Sequence, residues 1–258
     1  MNTIFITGAA AGIGCETARL FVANGWFVGL ADRDQAGLAR LAAALGAERC
    51  STHVVDVTDM ASVRAALADF AARTGGRLQV LHNNAGVLKI GPFEEIAPEE
   101  HRRIVDINIA GAINVLHAAF PYLKATPGAQ VINMSSASAA YGIPEFASYS
   151  ASKHAIRALT EALDIEWARH GIRVTDLMPP FVNTGMVQSQ TYRSPIIEKL
   201  GVNLTPEAVA GEVWAQVQSP RLHRPLTAPF RALWPVARSM PAGVTRAILR
   251  RLSGLADG

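Results

Sequence analysis

From Thr3 to Met178 the chain alternates short β-branched apolar runs with Ala/Leu/Arg-rich segments of helical spacing, and this alternation restricts the folds open to it. Candidate strands are Thr3–Thr7, Trp26–Asp32, Cys50–Val57, Leu78–Asn83, Gln130–Ser135 and Arg173–Met178. Most are continuous apolar runs, the pattern of strands covered on both faces. Segments such as DQAGLARLAAALG and DMASVRAALADFAART separate them. Strand, helix, strand in repetition predicts a parallel, doubly wound α/β sheet of the Rossmann type. No repeat, low-complexity tract or Pro/Ser-rich linker divides the 258 residues, so residues 1–258 read as one domain. After Met178 the alternation gives way to a polar stretch at about 180–204, long enough to predict a functional loop over a substrate.

Half of the residues are apolar, enough for a sizeable core. Cys15 and Cys50 are the only cysteines, too few for a disulfide framework and not spaced with histidines as a metal site requires. The N-terminus, MNTIFITG, lacks a basic region followed by a long apolar run, so no signal peptide is expected. No uncharged apolar stretch approaches the ~20 residues of a membrane span. These features predict a cytoplasmic protein, soluble or peripheral to a membrane, with no nucleic-acid partner. Of 24 Lys/Arg and 21 Asp/Glu, seven Arg and one Asp fall in residues 213–258. The remaining 17 and 20 leave the body of the chain slightly acidic and its end strongly basic.

The first strand runs into Thr7-Gly8-Ala9-Ala10-Ala11-Gly12-Ile13-Gly14, followed by the helical pattern CETARLFVANG. Glycines there permit a tight turn and bring backbone N–H groups to a phosphate at a helix N-terminus, where the helix dipole is positive. About 20 residues on, VGLAD ends the second strand at Asp32, where a carboxylate can accept hydrogen bonds from adenosine ribose hydroxyls. The same charge repels a 2′-phosphate, whereas the adjacent Arg33 could pair with one. NAD is therefore favoured and NADP left open, with Arg33 free to swing into solvent or stack on adenine. Alternatively, Asp32 could simply cap the following helix.

The stretch SYSASK sets Tyr149 and Lys153 four residues apart, on one face of a helix. A free phenol with a pKa near ~10 is a poor base at neutral pH. A neighbouring ammonium favours the phenolate and makes Tyr149 usable as a general acid or base. Upstream, the strand AQVINMSS ends in Ser135-Ser136 at the carboxyl edge of the sheet, where open α/β folds bind ligands.

Taken together, TGAAAGIG at 7–14, Asp56 after the third strand, NNAG at 83–86, Asn108 in INIAGAINV, the Ser136 strand end and YSASK at 149–153 resemble the short-chain dehydrogenase/reductase family. The match covers roughly residues 1–185 in the family's order and spacing. It implies that Ser136 orients and polarises the substrate oxygen and that Tyr149 exchanges the proton. It gives Lys153 the tasks of lowering the tyrosine pKa and binding the nicotinamide ribose, and Asn108 that of holding a proton-relaying water. Gly8, Ala11, Gly12, Ile13 and Gly14 would cradle the cofactor's phosphates. Asp56 and Val57 would meet adenine, and Asn84, Ala85 and Gly86 the cofactor's middle. Val182 would meet the carboxamide and Thr184 the pyrophosphate. Ser138 could replace Ser136 if the turn is shifted, and Asn83 and Asn84 could serve only to fix a strand end.

The resemblance implies an NAD(P)-dependent oxidoreductase that interconverts a secondary alcohol and a ketone. Phe146, Tyr141, Pro144, Leu88, Phe181, Met186 and Tyr192 are candidate pocket residues for a hydrophobic small-molecule substrate. A regulatory dinucleotide-binding protein without turnover is the competing reading. It has no use for a Ser/Tyr/Lys set, and neither has a methyltransferase.

Two features depart from the family. Pro179-Pro180 stands where Pro-Gly is common, and the usual last strand with its Val-Asp-Gly-Gly type tail is missing. RPLTAPF is a candidate proline-bounded edge strand in its place. A homo-oligomer is expected, a dimer through helices around 100–123 and 149–169 or a tetramer. The C-terminal extension at about 221–258 intersperses Phe230, Leu233, Trp234, Val236, Met240, Val244, Ile248 and Leu249 with arginines. It reads either as an anionic-membrane contact or as a segment folded back over the pocket or onto a partner subunit.

Overall fold

The computed structural model describes residues 2–254, apart from the side chains of 237 and 238. Seven strands, β1 (Thr3–Thr7), β2 (Phe27–Asp32), β3 (Cys50–Val54), β4 (Val80–Asn83), β5 (Gln130–Met134), β6 (Arg173–Met178) and β7 (His223–Pro225), form one parallel sheet in the order β3-β2-β1-β4-β5-β6-β7. The predicted doubly wound sheet is thus observed. The order reverses between β1 and β4, and the crevice at this reversal is where such sheets bind ligands.

Helices α1 (Gly12–Ala23), α2 (Gln35–Leu45), α3 (Met60–Arg73), α4 (Pro98–Val105), α5 (Ala112–Lys124) and α6 (Ala147–Ala168) fill the crossovers. Two short helices, α7 (Gly185–Gln188) and α8 (Pro195–Leu200), lie beyond β6, followed by α9 (Pro206–Gln218), α10 (Ala228–Ser239) and α11 (Ala242–Ser253). Residues of α1, α2 and α9 pack on one face of the sheet around Phe21, Leu38 and Val213. Those of α3, α5 and α6 pack on the other around Phe70, Leu116 and Trp167.

Strand ends differ from the sequence-based expectation wherever a side chain or a turn takes over from the ladder. Trp26 lies outside β2 because its N–H closes the α1 terminus on the Phe21 carbonyl. Leu78 and Gln79 precede β4, their N–H groups donating to the Thr126 and Thr3 hydroxyls. Past Val54, the Asp56 carboxylate gathers the Thr58 N–H and hydroxyl into a turn, and Asp59 caps α3. RPLTAPF is only partly a strand: β7 starts at His223 and ends at Pro225, and the run then enters α10 through Thr227 at φ 72°.

The segment 180–204, read as a loop, contains α7 and α8. Among the described residues one helical span, Pro98–Lys124, is long and apolar enough by length and composition to cross a membrane. It is a core element, with Ile104, Val115, Leu116 and Leu123 buried. A π-helical segment, Asp106–Gly111, joins α4 to α5 within it.

The C-terminal extension folds back on the domain. Trp234 is buried against Ala139 and Met178, its ring edge-on to His223 and covered by the Arg157 guanidinium at 5.3 Å. His223 in turn joins buried Asp176 of β6 to Glu161 of α6, each at 3.0 Å. Residues 255–258 and the Arg238 side chain, parts of the extension, lie outside the described residues.

Candidate active site

The glycine-rich turn is held by contacts that only these residues allow. Gly8 and Gly12 have φ of +69° and +54°, the left-handed region that favours glycine. A Cβ on Gly14 would stand 2.2 Å from the Gly8 carbonyl oxygen. Unlike α2 and α3, whose first N–H groups are capped by Asp34 and Asp59, α1 begins at Ala11 without a side-chain cap. Its N-terminal donors thus open toward the turn. Thr184 closes the other side, its Cγ2 3.4 Å from where a Gly12 side chain would begin.

Asp32 pins this turn. Its Oδ2 accepts from the Ala10 N–H and its Oδ1 from the Asp34 N–H, each at 3.0 Å, leaving lone pairs on both oxygens. The expectation that Asp32 might cap the next helix is corrected: Asp34 does so, accepting from the Gly37 N–H at 2.9 Å. A cavity bordered by Asp32, Arg33, Asp56, Val57 and Gly86 extends on this side. The Asp56 carboxyl is held below its usual range by hydrogen bonds from Thr58, with the Arg33 charge adding to the effect.

At the β4 end, Thr7 Oγ1 accepts from the N–H groups of Asn84 and Ala85, each at 3.0 Å, and the Asn84 amide donates to the Thr7 carbonyl at 2.9 Å. Asn83 turns away from the cavity, donating to Ala112 O and Asn133 Oδ1, and so only fixes the strand end. A second cavity, bordered by Gly8, Ala11, Gly12, Ile13, Asp32 and Asn84–Gly86, continues to Ser136, Tyr149, Lys153, Val182 and Thr184. Both cavities meet at Gly8, Asp32, Ala85 and Gly86, a continuous trough across the carboxyl edge of the sheet.

Ser136 ends the run after β5. Its Oγ accepts from the Ser138 N–H at 3.2 Å and donates to the Pro179 carbonyl at 3.4 Å, and it borders the same cavity as Tyr149, whose phenol pKa it lowers. The 13-residue spacing thus brings Ser136, rather than Ser138, to the tyrosine. Lys153 stands one turn below Tyr149 on α6, Nζ 5.5 Å from the ring centroid, donating to the Met134 carbonyl at 2.8 Å. The expected lowering of the phenol pKa is not what this arrangement gives. Burial pushes Tyr149 up to about 12, against the lowering by Ser136, and pushes Lys153 down to about 8. Desolvation dominates for both groups.

Asn108 sits within the π-helical segment, which turns its amide toward Gly86. Its Oδ1 accepts from the Val87 N–H at 2.8 Å, and its Nδ2 donates to the Val87 carbonyl at 3.0 Å and the Ser152 hydroxyl at 3.1 Å. Both N–H bonds of the side chain are committed, so of its side-chain groups only the remaining lone pair of Oδ1 is open to a relayed water. A Cβ on Gly86 would meet Asn108 Oδ1 at 3.2 Å and Lys153 Nζ at 3.7 Å, which explains a glycine there.

Of the candidate pocket residues, Leu88, Tyr141, Phe146, Phe181 and Met186 border the cavity. Pro144 and Tyr192 do not; the Tyr192 hydroxyl instead donates to Glu145 Oε1 at 2.7 Å. Ile143, Val187 and Leu200 complete the apolar wall. Sequence reasoning passed over these because a lone apolar residue in a loop or in a helix of four to six residues shows no periodicity.

This trough, leading from a glycine turn at a helix N-terminus to a Ser/Tyr/Lys cluster, defines a nucleotide-binding α/β oxidoreductase. The model of the short chain dehydrogenase family matches residues 2–194, and the chain belongs to that family. It is 37% identical over 228 residues to the oxidoreductase UcpA of Salmonella typhimurium, covering 87% of this chain and 83% of that protein. It is 35% identical over 209 residues to a galactitol 2-dehydrogenase (L-tagatose-forming) of Cereibacter sphaeroides, covering 80% and 81%. Among solved structures it resembles the 3-ketoacyl-(acyl-carrier-protein) reductase of Brucella melitensis complexed with NADH. That likeness has a TM-score of 0.78 at 29% identity and covers 87% of this chain and 96% of the other. The protein is accordingly an oxidoreductase that uses a nicotinamide dinucleotide.

Proposed function

We propose that the protein is an NAD-preferring dehydrogenase/reductase that interconverts a secondary alcohol and a ketone on a largely apolar small molecule. The observation that carries this reading is that one trough runs from the glycine turn at Gly8 to Ser136, Tyr149 and Lys153. Positive-φ glycines, the uncapped start of α1 and the free lone pairs of Asp32 fit a dinucleotide. When bound, its nicotinamide supplies the hydride acceptor for alcohol oxidation and the donor for ketone reduction. Ser136 orients the substrate oxygen, and Tyr149 exchanges a proton with it at the phenol oxygen. Lys153 positions the cofactor ribose and sets the charge beside the phenol, while Asn108 and Gly86 hold Lys153's surroundings in place. Ala11, Gly12, Ile13 and Gly14 take the phosphates with Thr184, Val57 and Asp56 the adenine, Asn84 and Ala85 the middle, and Val182 the carboxamide. Galactitol 2-dehydrogenase, by its name a polyol oxidoreductase, supports a secondary hydroxyl as the reacting group. Turnover of a secondary-alcohol panel with NAD, followed by absorbance of the reduced nicotinamide, tests this reading.

NAD preference rests on Asp32, whose charge faces the position of a 2′-phosphate. Because Asp32 also pins Ala10, Asp32→Asn is the informative substitution: it keeps an acceptor oxygen and removes the charge. The expected result is a rise of about tenfold or more in the kcat/KM ratio of NADP to NAD, with Arg33 as the remaining cation. A wild-type enzyme that already favours NADP contradicts this reading of Asp32.

Residues 180–204 act as a substrate loop in this account. Gln190 clamps it to the 88–90 strip, accepting from the Ile90 N–H at 3.1 Å and donating to the Leu88 carbonyl at 3.2 Å. Tyr192 reaches Glu145, a residue at φ 69° four positions before Tyr149. A hydrogen bond to a charged acceptor contributes about 1.5 to 3 kcal/mol. Tyr192→Phe should therefore raise the substrate KM by about tenfold while leaving the NAD dissociation constant unchanged, as steady-state kinetics and calorimetry will show.

A homodimer through α4 to α6 is part of the same proposal, supported by exposed Val105, Ile113 and Ile165 on these helices. So are a cytoplasmic location and a peripheral contact with an anionic membrane. The contact is supported by exposed Leu233, Val236, Val244 and Ile248 beside arginines of α10 and α11.

A further inference from the structure

We propose that Ser138 is a second substrate-oxygen contact. The pocket would then take an apolar skeleton carrying two oxygens on adjacent carbons, a vicinal diol in one direction and an α-hydroxyketone in the other. This deepens the alcohol/ketone reading above and rests on it.

Buried side-chain polar atoms without a partner occur, among the described residues, on His82, Gln130, Ser138, Glu145 and Ser194. Only Ser138 of these also borders the cavity that holds Ser136 and Tyr149. Its residue is 2% exposed, and its hydroxyl has no hydrogen-bond partner in the protein. An unpaired buried hydroxyl costs about 1 to 3 kcal/mol, which a ligand oxygen would recover.

The position of Ser138 is fixed relative to the reacting centre. Its N–H donates to Ser136 Oγ at 3.2 Å, within the single 3-10 turn Ala137–Ala139. That turn is anchored from behind, where the Ala139 carbonyl accepts from Arg157 at 2.9 Å and Ala139 packs on Trp234. An oxygen bound at Ser136 and Tyr149 therefore has Ser138 on the same turn as a neighbour, and a second oxygen close to the first is the group suited to satisfy it. The rest of this wall is formed by Leu88, Ile143, Phe146, Phe181, Met186 and Val187, with the Tyr141 phenol as its one further hydroxyl. A second oxygen placed against the apolar part of this wall would lose its hydration without compensation.

A site built to bond a hydroxyl discriminates against the analogue that lacks it. With NAD, kcat/KM for cyclohexane-1,2-diol should exceed that for cyclohexanol by about tenfold or more in the wild type. Ser138→Ala should bring this ratio to near one while changing the cyclohexanol value less than threefold, and Ser138→Thr, which keeps the hydroxyl, should retain the preference. Calorimetry on the NADH-loaded protein provides a readout without turnover. There 2-hydroxycyclohexanone should bind about tenfold more tightly than cyclohexanone, a difference that Ser138→Ala removes.

A ratio unchanged by Ser138→Ala, or equal losses on both alcohols, overturns the proposal. So does the absence of any hydroxyketone preference in the calorimetry. Failure of the underlying reading would look different: no nicotinamide reduction with any secondary alcohol.

Discussion

Tyr149→Phe is expected to bind NAD with wild-type affinity and to lose turnover by about 10²- to 10⁴-fold, the range that a positioned general acid or base supplies. The substitution keeps the ring in its place on α6, together with its contact to Lys153 at 5.5 Å. Ser136 keeps the Pro179 carbonyl at 3.4 Å and the Ser138 N–H at 3.2 Å, so the wall of the site stands. What disappears is the exchangeable proton. Because burial pushes the phenol up to about 12, it is protonated at neutral pH and ready to act as an acid toward a ketone oxygen. Calorimetric NAD titration beside steady-state kinetics separates the two effects. Near-normal turnover in this variant contradicts the role of Tyr149, and a lost NAD affinity makes its role one of binding.

Lys153→Met should pull activity and stability in opposite directions. Lys153 is 4% exposed and its ammonium has one hydrogen bond, to the Met134 carbonyl. Burial lowers its pKa from 10.5 to about 8, a penalty on the order of 3 kcal/mol when the folded protein must carry the charge. Loss of the bond to Met134 offsets about 1 kcal/mol of the gain from removing that charge. At pH 7 the variant should therefore melt a few degrees higher than wild type. The sign with pH follows from the depressed pKa. Between about pH 8 and 10.5 the unfolded lysine still holds its proton and the folded one has released it, so wild-type stability rises and the gap closes. Turnover should fall by about 10²-fold or more, with weaker NAD binding, because the group beside the phenol is gone. Melting curves at pH 7 and pH 9.5 check the first statement and kinetics the second. A variant less stable than wild type at pH 7 shows that the buried ammonium is better satisfied than one hydrogen bond allows.

The sheet was legible in the sequence because buried parallel strands are continuous apolar runs; β1 and β6 fall on the residues that the pattern predicts. The candidate cluster was legible where residue type and spacing combine, as in Ser136, Tyr149 and Lys153, which the fold brings together at one end of the trough. Three features were not. The π-helical segment that aims Asn108 at Gly86 is a change of hydrogen-bond register, with no compositional mark of its own. The direction of the Tyr149 shift depends on burial, and spacing along a helix reports proximity but not desolvation. The fate of Trp234 hung on a partner 77 residues away, Arg157, and on Ala139 and Met178, so the basic composition of the segment could not show that it packs back.

Direct transfer of a carbinol hydrogen to the cofactor is the central claim, and isotope tracing tests it most directly. The wild-type enzyme is incubated in ordinary water with NAD and a secondary alcohol deuterated at the carbinol carbon, and the reduced cofactor is analysed by proton NMR. The account predicts one deuterium per reduced nicotinamide, at C4 and on a single face, with none transferred by Tyr149→Phe above its residual rate. Reduced cofactor carrying only solvent hydrogen at C4, or an unreduced cofactor with every alcohol of the panel, would contradict it.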